Sequence, residues 1–110
     1  MLSKSALNAI LSLMTEKETL ENTRRKLIFR SGHRGTKEMD LILGNFSLDH
    51  VPNFTLEEIE MFEQLLTEND PDLYNWIMGR EDVPEASQSP IMDMLLAYDF
   101  ASKLKSQLKA

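Results

Sequence analysis

Three observations predict that this chain folds as an all-α protein, a small five-helix bundle. Apolar residues recur at spacings of three and four along most of the sequence, which is the period of an α-helix. Serine, threonine and aspartate stand where helices would begin, and glycine stands where two of them would end. No long stretch alternates apolar and polar residues as a half-buried strand does. With 110 residues, 42% of them hydrophobic, the chain fits one domain with one core.

The first helix of the bundle is predicted to begin at Thr15, because Thr15 and Glu18 have the spacing of a capping box. Gly32 is predicted to end it. The preceding residues 1–14 carry apolar side chains at helical spacing, one lysine and no acid, which makes a poor transit peptide. We therefore predict an extra N-terminal helix or a tail at 1–14 and a single helical domain at 15–110.

The second helix is predicted at about residues 35–46 and has a strongly amphipathic pattern. Its apolar residues fall at positions i, i+3, i+4 and i+7, so one face is committed to the core. These residues are Met39, Ile42, Leu43 and Phe46. Phe46 is predicted to end this helix, and the following residues 47–53, which include Pro52, are predicted to form a loop.

The third helix has the firmest start signal in the sequence. Thr55 and Glu58 form a capping box, and Phe54 and Ile59 flank the cap at the spacing of a hydrophobic staple. Both signals predict that the helix begins immediately after Thr55. Its buried stripe is predicted to contain Ile59, Phe62 and Leu66.

The last two helices are predicted from a repeated pattern in which a capping residue precedes a proline. Asp70 is predicted to cap the fourth helix, with Pro71 at its first position and Gly79 at its end. The buried residues of this helix are predicted to be Leu73, Tyr74, Trp76 and Ile77. The pair Ser89–Pro90 repeats the signal for one final helix that continues through Phe100.

The net charge of −6 hides an asymmetry along the chain. Residues 1–37 carry eight Lys and Arg against three Glu, whereas residues 38–110 carry four against fifteen acids. The cationic part leads into the second helix and indicates a partner with an acidic rim, although a solvated helix face gives the same pattern. The acidic remainder and a pI near 4.8 argue against nucleic acid as the partner.

The residue types needed for several kinds of chemistry are missing from the sequence. The absence of cysteine excludes disulfides, thiolate nucleophiles and sulfur-ligated metals. His33 and His50 lack a second ligand at metal-binding spacing, and Glu57 and Glu58 are explained by the helix cap. No glycine-framed nucleophile, phosphate-binding loop or membrane-length apolar run is present. We therefore predict neither an enzyme nor a protein with a resident metal or cofactor.

Residues 34–40 are the candidate functional segment, because a cation, a glycine and two carboxylates stand together at the start of an amphipathic helix. A glycine at position 35 lets another backbone approach closely. Arg34 and Glu38 are four residues apart, so they can pair with each other or jointly hold a partner. The predicted partner-binding residues are Arg30, His33, Arg34, Gly35, Lys37, Glu38 and Asp40.

Two blocks of this sequence together resemble the succinate dehydrogenase flavinylation factor family of the SdhE type. The first block is Arg34-Gly35-x-x-Glu38-x-Asp40, followed by Phe46. The second block is Asp70-Pro71-Asp72-Leu73-Tyr74-Asn75-Trp76. The resemblance runs from about Arg24 to Leu104, and the two blocks at this separation are specific where either alone would be weak.

The resemblance implies a five-helix assembly factor that is not itself an enzyme. Such a factor binds the flavoprotein subunit of succinate dehydrogenase, and in some bacteria that of fumarate reductase, and promotes covalent attachment of FAD to a histidine of that subunit. It implies that Arg34, Gly35 and Glu38 lie on the binding surface, with Asp40 in the same block. FAD is then carried by the partner, and this chain is a monomer when free, without membrane insertion, in a bacterial cytoplasm or a mitochondrial matrix.

Two other functional classes stay open on the residues alone. A helical interaction module, for example an antitoxin-like or regulatory protein, would use the same Arg-Gly-x-x-Glu surface on an unrelated partner. A DNA-binding protein would use the two helices around the glycine turn as a helix-turn-helix, against the acidic charge of the chain.

Overall fold

The protein, as a computed structural model, is described over residues 3–108 and is all-α, which confirms the predicted fold class. Six α-helices rather than five form this part of the chain, together with two 3₁₀ turns at Val51–Asn53 and Glu85–Ser87. The helices are α1 (Lys4–Ser31), α2 (Lys37–His50), α3 (Leu56–Leu65), α4 (Asp70–Ile77), α5 (Pro90–Leu96) and α6 (Phe100–Leu108). None of the helices described combines the length and apolar character that crossing a bilayer requires.

One hydrophobic core lies around α2. The four residues predicted for its buried face, Met39, Ile42, Leu43 and Phe46, are all buried. The ring of Phe46 lies 5.6 Å from that of Phe62 on α3 and 5.6 Å from that of Tyr98, which approaches edge-on. Because these rings come from separate parts of the chain, Phe46 joins α2 to both the third helix and the C-terminal part of the bundle.

The predicted start of the first helix is wrong. Helix α1 begins at Lys4, where the side chain of Ser3 caps it, and it passes through Thr15 without a break. The hydroxyl of Thr15 donates to the carbonyl of Leu11 at 2.9 Å, so it is used inside the helix. Residues 4–14 are therefore the first turns of α1 and not a separate element, while residues 1 and 2 of the predicted segment lie outside the described residues.

Helix α2 is also longer than predicted, because it ends at His50 and not at Phe46. Ser47 is buried, and its hydroxyl donates to the carbonyl of Gly44 at 3.0 Å, so it supports the helix instead of stopping it. Proline at position 52 then falls in the 3₁₀ turn that follows. The predicted loop at 47–53 is thus one more helical turn followed by a tight turn.

The predicted final helix is two helices, because Asp99 starts a new one. Its carboxylate accepts hydrogen bonds from the backbone N–H of Ser102 at 3.1 Å and from the hydroxyl of Ser102 at 2.6 Å. These bonds lower the pKa of Asp99. A carboxylate that accepts the backbone N–H three residues on is an N-cap, and α6 accordingly begins at Phe100.

A polar contact fastens α6 to the end of α2. The hydroxyl of Tyr98 donates to Asp49 Oδ2 at 2.7 Å, and Lys103 Nζ lies 3.1 Å from Asp49 Oδ1. The Tyr98 hydrogen bond lowers the pKa of Asp49, while burial and the same carboxylate raise the pKa of Tyr98.

Local capping signals account for the other helix starts. Thr55 and Glu58 form both hydrogen bonds of the predicted capping box, and Ser89 caps α5 as predicted. The predicted cap of α4 is wrong by one residue, because Asn69 accepts the backbone N–H and Asp70 is the first helical residue. The carboxylate of Asp70 is therefore available for a different contact.

Candidate partner-binding surface

The turn between α1 and α2 and the turn between α3 and α4 come together at the side chain of Arg34. Arg34 Nε donates to Asp70 Oδ1 at 2.9 Å. Its Nη1 donates to the carbonyl of Leu66 at 2.6 Å, and its Nη2 donates to the carbonyl of Glu68 at 2.5 Å. The guanidinium thus joins the Arg34-Gly35 turn to both sides of the second turn.

The position of the guanidinium follows from the electrostatics of helix ends. Leu66 caps the C-terminus of α3, where carbonyl groups without helical partners carry partial negative charge, and Asp70 adds a full negative charge. The side chains of Arg34 and Asp70 are only 14% and 12% exposed, so the pair is largely removed from water. Of the two possibilities left open for Arg34 and Glu38, the structure does not have the pairing of the two side chains, because Asp70 pairs with Arg34 instead.

The carboxylate of Asp40 also acts within the chain. It accepts the backbone N–H of Arg34 in a short hydrogen bond, and the backbone N–H of Gly35 lies 3.4 Å from the same oxygen. The hydroxyl of Thr36 caps α2 by accepting the N–H of Met39 at 3.3 Å. The arginine and aspartate of the first block therefore hold the turn in one conformation, and any direct contact they make with a partner stays a prediction.

Gly35 is exposed and has a backbone conformation that favours glycine. Its φ is +129°, a region that residues with a side chain rarely adopt. A Cβ built at this position has no neighbour within 4 Å. The bare backbone predicted from the sequence is thus open to an approaching molecule, and glycine is also needed for the shape of the turn.

A groove of about 340 Å³ lies beside the turn. It is lined by Thr36, Glu38, Met39, Asp70, Pro71 and Tyr74. Glu38 is exposed, and its carboxylate makes no hydrogen bond or ion pair with the described residues, so its charge is free for a partner. The groove is therefore bordered by two carboxylates, the free one of Glu38 and that of Asp70, whose charge Arg34 neutralises.

Sequence reasoning did not find the second side of this groove. Tyr74 was predicted to be a core residue with Trp76, yet Trp76 is buried while Tyr74 is half-buried and lines the groove with Pro71. The signal that could have placed Pro71 and Tyr74 at this surface is the presence of the second block beside the first in the resemblance. Residues 34–40 and 70–76 together carry the resemblance described above, and in the structure they meet through the Arg34–Asp70 pair.

The remaining predicted residues flank the turn. Arg30 and Lys37 are exposed. The ring of His33 stacks on Phe29 with 4.0 Å between centroids, and His33 Nδ1 lies 2.7 Å from the Phe29 carbonyl. Phe29 is itself 64% exposed and was missed, because it lies off the apolar stripe of α1. This edge presents cations and a stacked aromatic pair, and its role in binding stays a prediction.

Among the described residues, the groups with shifted pKa values lie on other elements than the turn. These groups are Asp49, Tyr98 and Asp99. Across residues 3–108, no group of three histidine or acidic side chains is placed to hold a metal ion. The arrangement of the described residues is suited to contact with another macromolecule.

Comparison with known proteins connects the two blocks to one family. Residues 25–99 match the family described as flavinator of succinate dehydrogenase. The chain belongs to this family. The family assignment confirms the resemblance predicted from the sequence, and the matched residues contain both blocks and the Arg34–Asp70 pair that joins them.

Both mitochondrial and bacterial proteins are similar to this chain. It is 31% identical over 85 residues to "Succinate dehydrogenase assembly factor 2, mitochondrial" of Dictyostelium discoideum, covering 77% of this chain and 60% of that protein. It is 37% identical over 75 residues to "FAD assembly factor SdhE" of Acetobacter pasteurianus, covering 68% and 69%. It is 33% identical over 80 residues to "FAD assembly factor SdhE" of Legionella pneumophila (strain Lens), covering 73% and 100%.

Proposed function

We propose that this protein is an assembly factor that binds the flavoprotein subunit of succinate dehydrogenase and promotes covalent attachment of FAD to it. The names of the family and of the relatives support succinate dehydrogenase as the enzyme and FAD as the cofactor. The observation that carries the proposal is the meeting of both family blocks at one exposed turn, where Gly35 is bare and Glu38 has a free charge.

In this proposal the residues of the turn have two different tasks. Gly35 allows the partner backbone to approach, and Glu38 accepts a charge-assisted hydrogen bond from a donor or cation of the partner. Arg34 and Asp40 keep the turn in its binding conformation from inside. The exposed cations Arg30 and Lys37 steer the first encounter with acidic surface.

We also propose that FAD stays on the partner and that no residue of this chain is catalytic. The groove of about 340 Å³ is at the small end of the range for ligand pockets, roughly 300–1,000 Å³, which favours a protruding side chain over a dinucleotide as its occupant. FAD supplies the electrophilic ring carbon when it is bound to the flavoprotein. This chain contributes position, since small errors of alignment are costly in a reaction between two groups.

The flavoprotein of fumarate reductase is a second proposed partner. We place the protein in the compartment where these subunits mature, which is the cytoplasm of a bacterium or the mitochondrial matrix. Covalent flavin on each flavoprotein is tested separately, because one interface need not serve both.

The experiment co-expresses the apo flavoprotein with and without this chain. A denaturing gel is then examined under ultraviolet light for flavin that remains attached to the flavoprotein band. A bright band that depends on this chain supports the proposal. Equal brightness in its absence contradicts the proposal.

A matched pair of glutamate variants locates the surface. Glu38→Gln removes the free charge beside the groove and is expected to reduce covalent flavin and flavoprotein binding at least roughly tenfold. Glu60→Gln makes the same change on an exposed residue of α3 that does not line the groove, and it should behave as the wild type. Equal behaviour of the two variants would place the interface elsewhere.

A further inference from the structure

The N-terminal half of α1 extends away from the core and exposes an apolar face. None of residues 3–19 is buried, and Leu20 is the first large side chain of the helix that packs against the core. Five large apolar side chains precede it, each between 42% and 62% exposed. They are Leu7, Ile10, Leu11, Leu13 and Met14, which together with the rest of residues 4–19 we call the α1 extension.

The α1 extension has the pattern of a helix that another helix covers. At 100° per residue its five apolar side chains occupy an arc of roughly 160°, while Ser5, Asn8 and Ser12 lie on the opposite side. A helix of this length is marginally stable in water without a packing partner. A contiguous exposed apolar face on an otherwise ordinary surface also marks an interaction site.

A groove beside the α1 extension shows where the second helix would lie. Its volume is about 730 Å³, and it runs between α1 and the first turn of α3. Ile10, Leu13, Met14 and Leu20 line one side, and Leu56, which is 61% exposed, contributes from α3. The groove thus offers apolar contacts from two helices of the same chain.

We infer that the α1 extension is a self-association surface, on which the extension of a second copy packs antiparallel in this groove. The charges on the extension favour that arrangement. Lys4 lies at its beginning, and Glu16 and Glu18 outnumber Lys17 at its end. Antiparallel pairing brings the basic end of each copy to the acidic end of the other, whereas parallel pairing would place like charges together.

The same charges disfavour a membrane surface as the occupant. Helices that lie in the membrane interface carry several lysines or arginines on the polar face, whereas the α1 extension contains Lys4 and Lys17, which Glu16 and Glu18 balance in charge. The surface is also separate from the candidate partner-binding turn. Leu13 and Ser31 are 18 residues apart on one helix, which corresponds to roughly 27 Å along its axis. Self-association would therefore leave the turn free, and it is the alternative to the monomer expected from the sequence.

Sedimentation of the full chain over a concentration series tests this inference. The wild type is expected to show a reversible monomer–dimer equilibrium with a dissociation constant on the order of 10–100 µM, as suits a small interface. Leu13→Glu should weaken association at least tenfold. Leu48→Glu is the matched control, because Leu48 is 60% exposed on α2 and Leu13 is 62% exposed. It should leave the dissociation constant unchanged.

Charge exchange tests the antiparallel arrangement. Lys4→Glu should weaken association. Adding Glu18→Lys to the same chain should restore it, because each exchanged residue then faces a residue of opposite charge on the second copy. Circular dichroism confirms that every variant stays folded. A wild type that is monomeric throughout the series, equal effects of the Leu13 and Leu48 variants, or failure of the double exchange to restore association would overturn the inference. Binding to phosphatidylserine vesicles that Leu13→Glu abolishes, without self-association, would overturn it in favour of a membrane.

Discussion

Replacing Arg34 with alanine separates a role in the fold from a role in partner contact. The guanidinium donates to the Asp70 carboxylate and to two backbone carbonyls, and its side chain is 14% exposed. Arg34→Ala leaves a carboxylate that is 12% exposed without its cation. It also removes the N–H groups that donate to the carbonyls of Leu66 and Glu68 in the turn after α3. We therefore expect a loss of stability even when no partner is present.

The size of the loss follows from the burial of the pair. Removing one member of a buried ion pair costs about 3–5 kcal/mol, because the remaining charge is left in a poorly solvated place. The three hydrogen bonds share one guanidinium, so their separate contributions do not add. Since some water reaches the pair, we expect a decrease of about 3 kcal/mol in the free energy of unfolding. At roughly 4 °C per kcal/mol for a chain of this size, the melting temperature falls by about 12 °C.

Urea unfolding measures this loss with a built-in probe, because Trp76 is the single tryptophan and is 6% exposed. Arg34→Lys keeps a positive charge but lacks the planar fork of donors, so it should recover less than half of the lost free energy. Arg30→Ala removes an exposed arginine as the control and should change stability by about 0.5 kcal/mol or less. A loss below about 1 kcal/mol for Arg34→Ala, similar to that of Arg30→Ala, would refute the internal role of Arg34.

The structure also gives expected outcomes for four other variants, two of which are compared as a pair. Gly35→Ala and Gly79→Ala both place a side chain at positive φ, +129° and +72°, with open space around it, so each should lower stability by about 1–2 kcal/mol. Only Gly35→Ala should weaken flavoprotein binding, measured by calorimetry well below both melting temperatures. Thr55→Ala removes a capping box and should cost about 1 kcal/mol in urea unfolding. Tyr98→Phe removes the hydroxyl that donates to Asp49. The resulting deficit, which is the decrease in the free energy of unfolding relative to the wild type, should be constant between about pH 6 and 9.

The sign of the pH dependence follows from the two pKa shifts. The pKa of Tyr98 is raised above its ordinary value of 10.0, so its contribution is fully present below pH 10 and is lost as the pH rises further. The pKa of Asp49 is lowered below 3.8, so its contribution is present above that pH and is lost on acidification. A deficit for Tyr98→Phe that stays unchanged above pH 10 would contradict this reasoning. Equal loss of flavoprotein binding by the two glycine variants would contradict the prediction for Gly35. An unchanged urea midpoint for Thr55→Ala would contradict the prediction for the capping box.

A capping pattern marks a helix start only where the residues in front of it are not helical. Thr55 and Thr15 have the same capping-box spacing, but only Thr55 caps a helix. Thr55 follows the 3₁₀ turn at Val51–Asn53, which leaves the backbone extended at the cap. Thr15 follows leucines, isoleucine and alanine, which favour continuation of a helix, so its hydroxyl turns back to the previous turn. The pattern of the cap is thus insufficient without a break in front of it.

The candidate surface was predicted only in part, because its essential contact is long-range. The sequence places Glu38 four residues after Arg34, and a local rule pairs them. The structure pairs Arg34 with Asp70, which lies 36 residues away in the sequence. Asp70 was assigned to a helix cap, and the neighbouring Asn69 satisfies that cap instead. Helix packing, which brings two turns together, decides this choice and cannot be read from local spacing.

In the first block, Arg34 and Asp40 make contacts within the chain, while Gly35 and Glu38 are exposed. This division suits a protein that positions a partner. An exposed turn held by Arg34 and Asp40 loses little conformational freedom on binding, so the partner contacts proposed for Gly35 and Glu38 are not offset by the entropy of ordering the turn. It follows that variants at Arg34 should weaken partner binding although the guanidinium faces inward. Their loss of binding should rise with their loss of stability, whereas Glu38→Gln should weaken binding at unchanged stability. Comparing the two losses across both sets of variants therefore distinguishes a residue that shapes the surface from one that touches the partner.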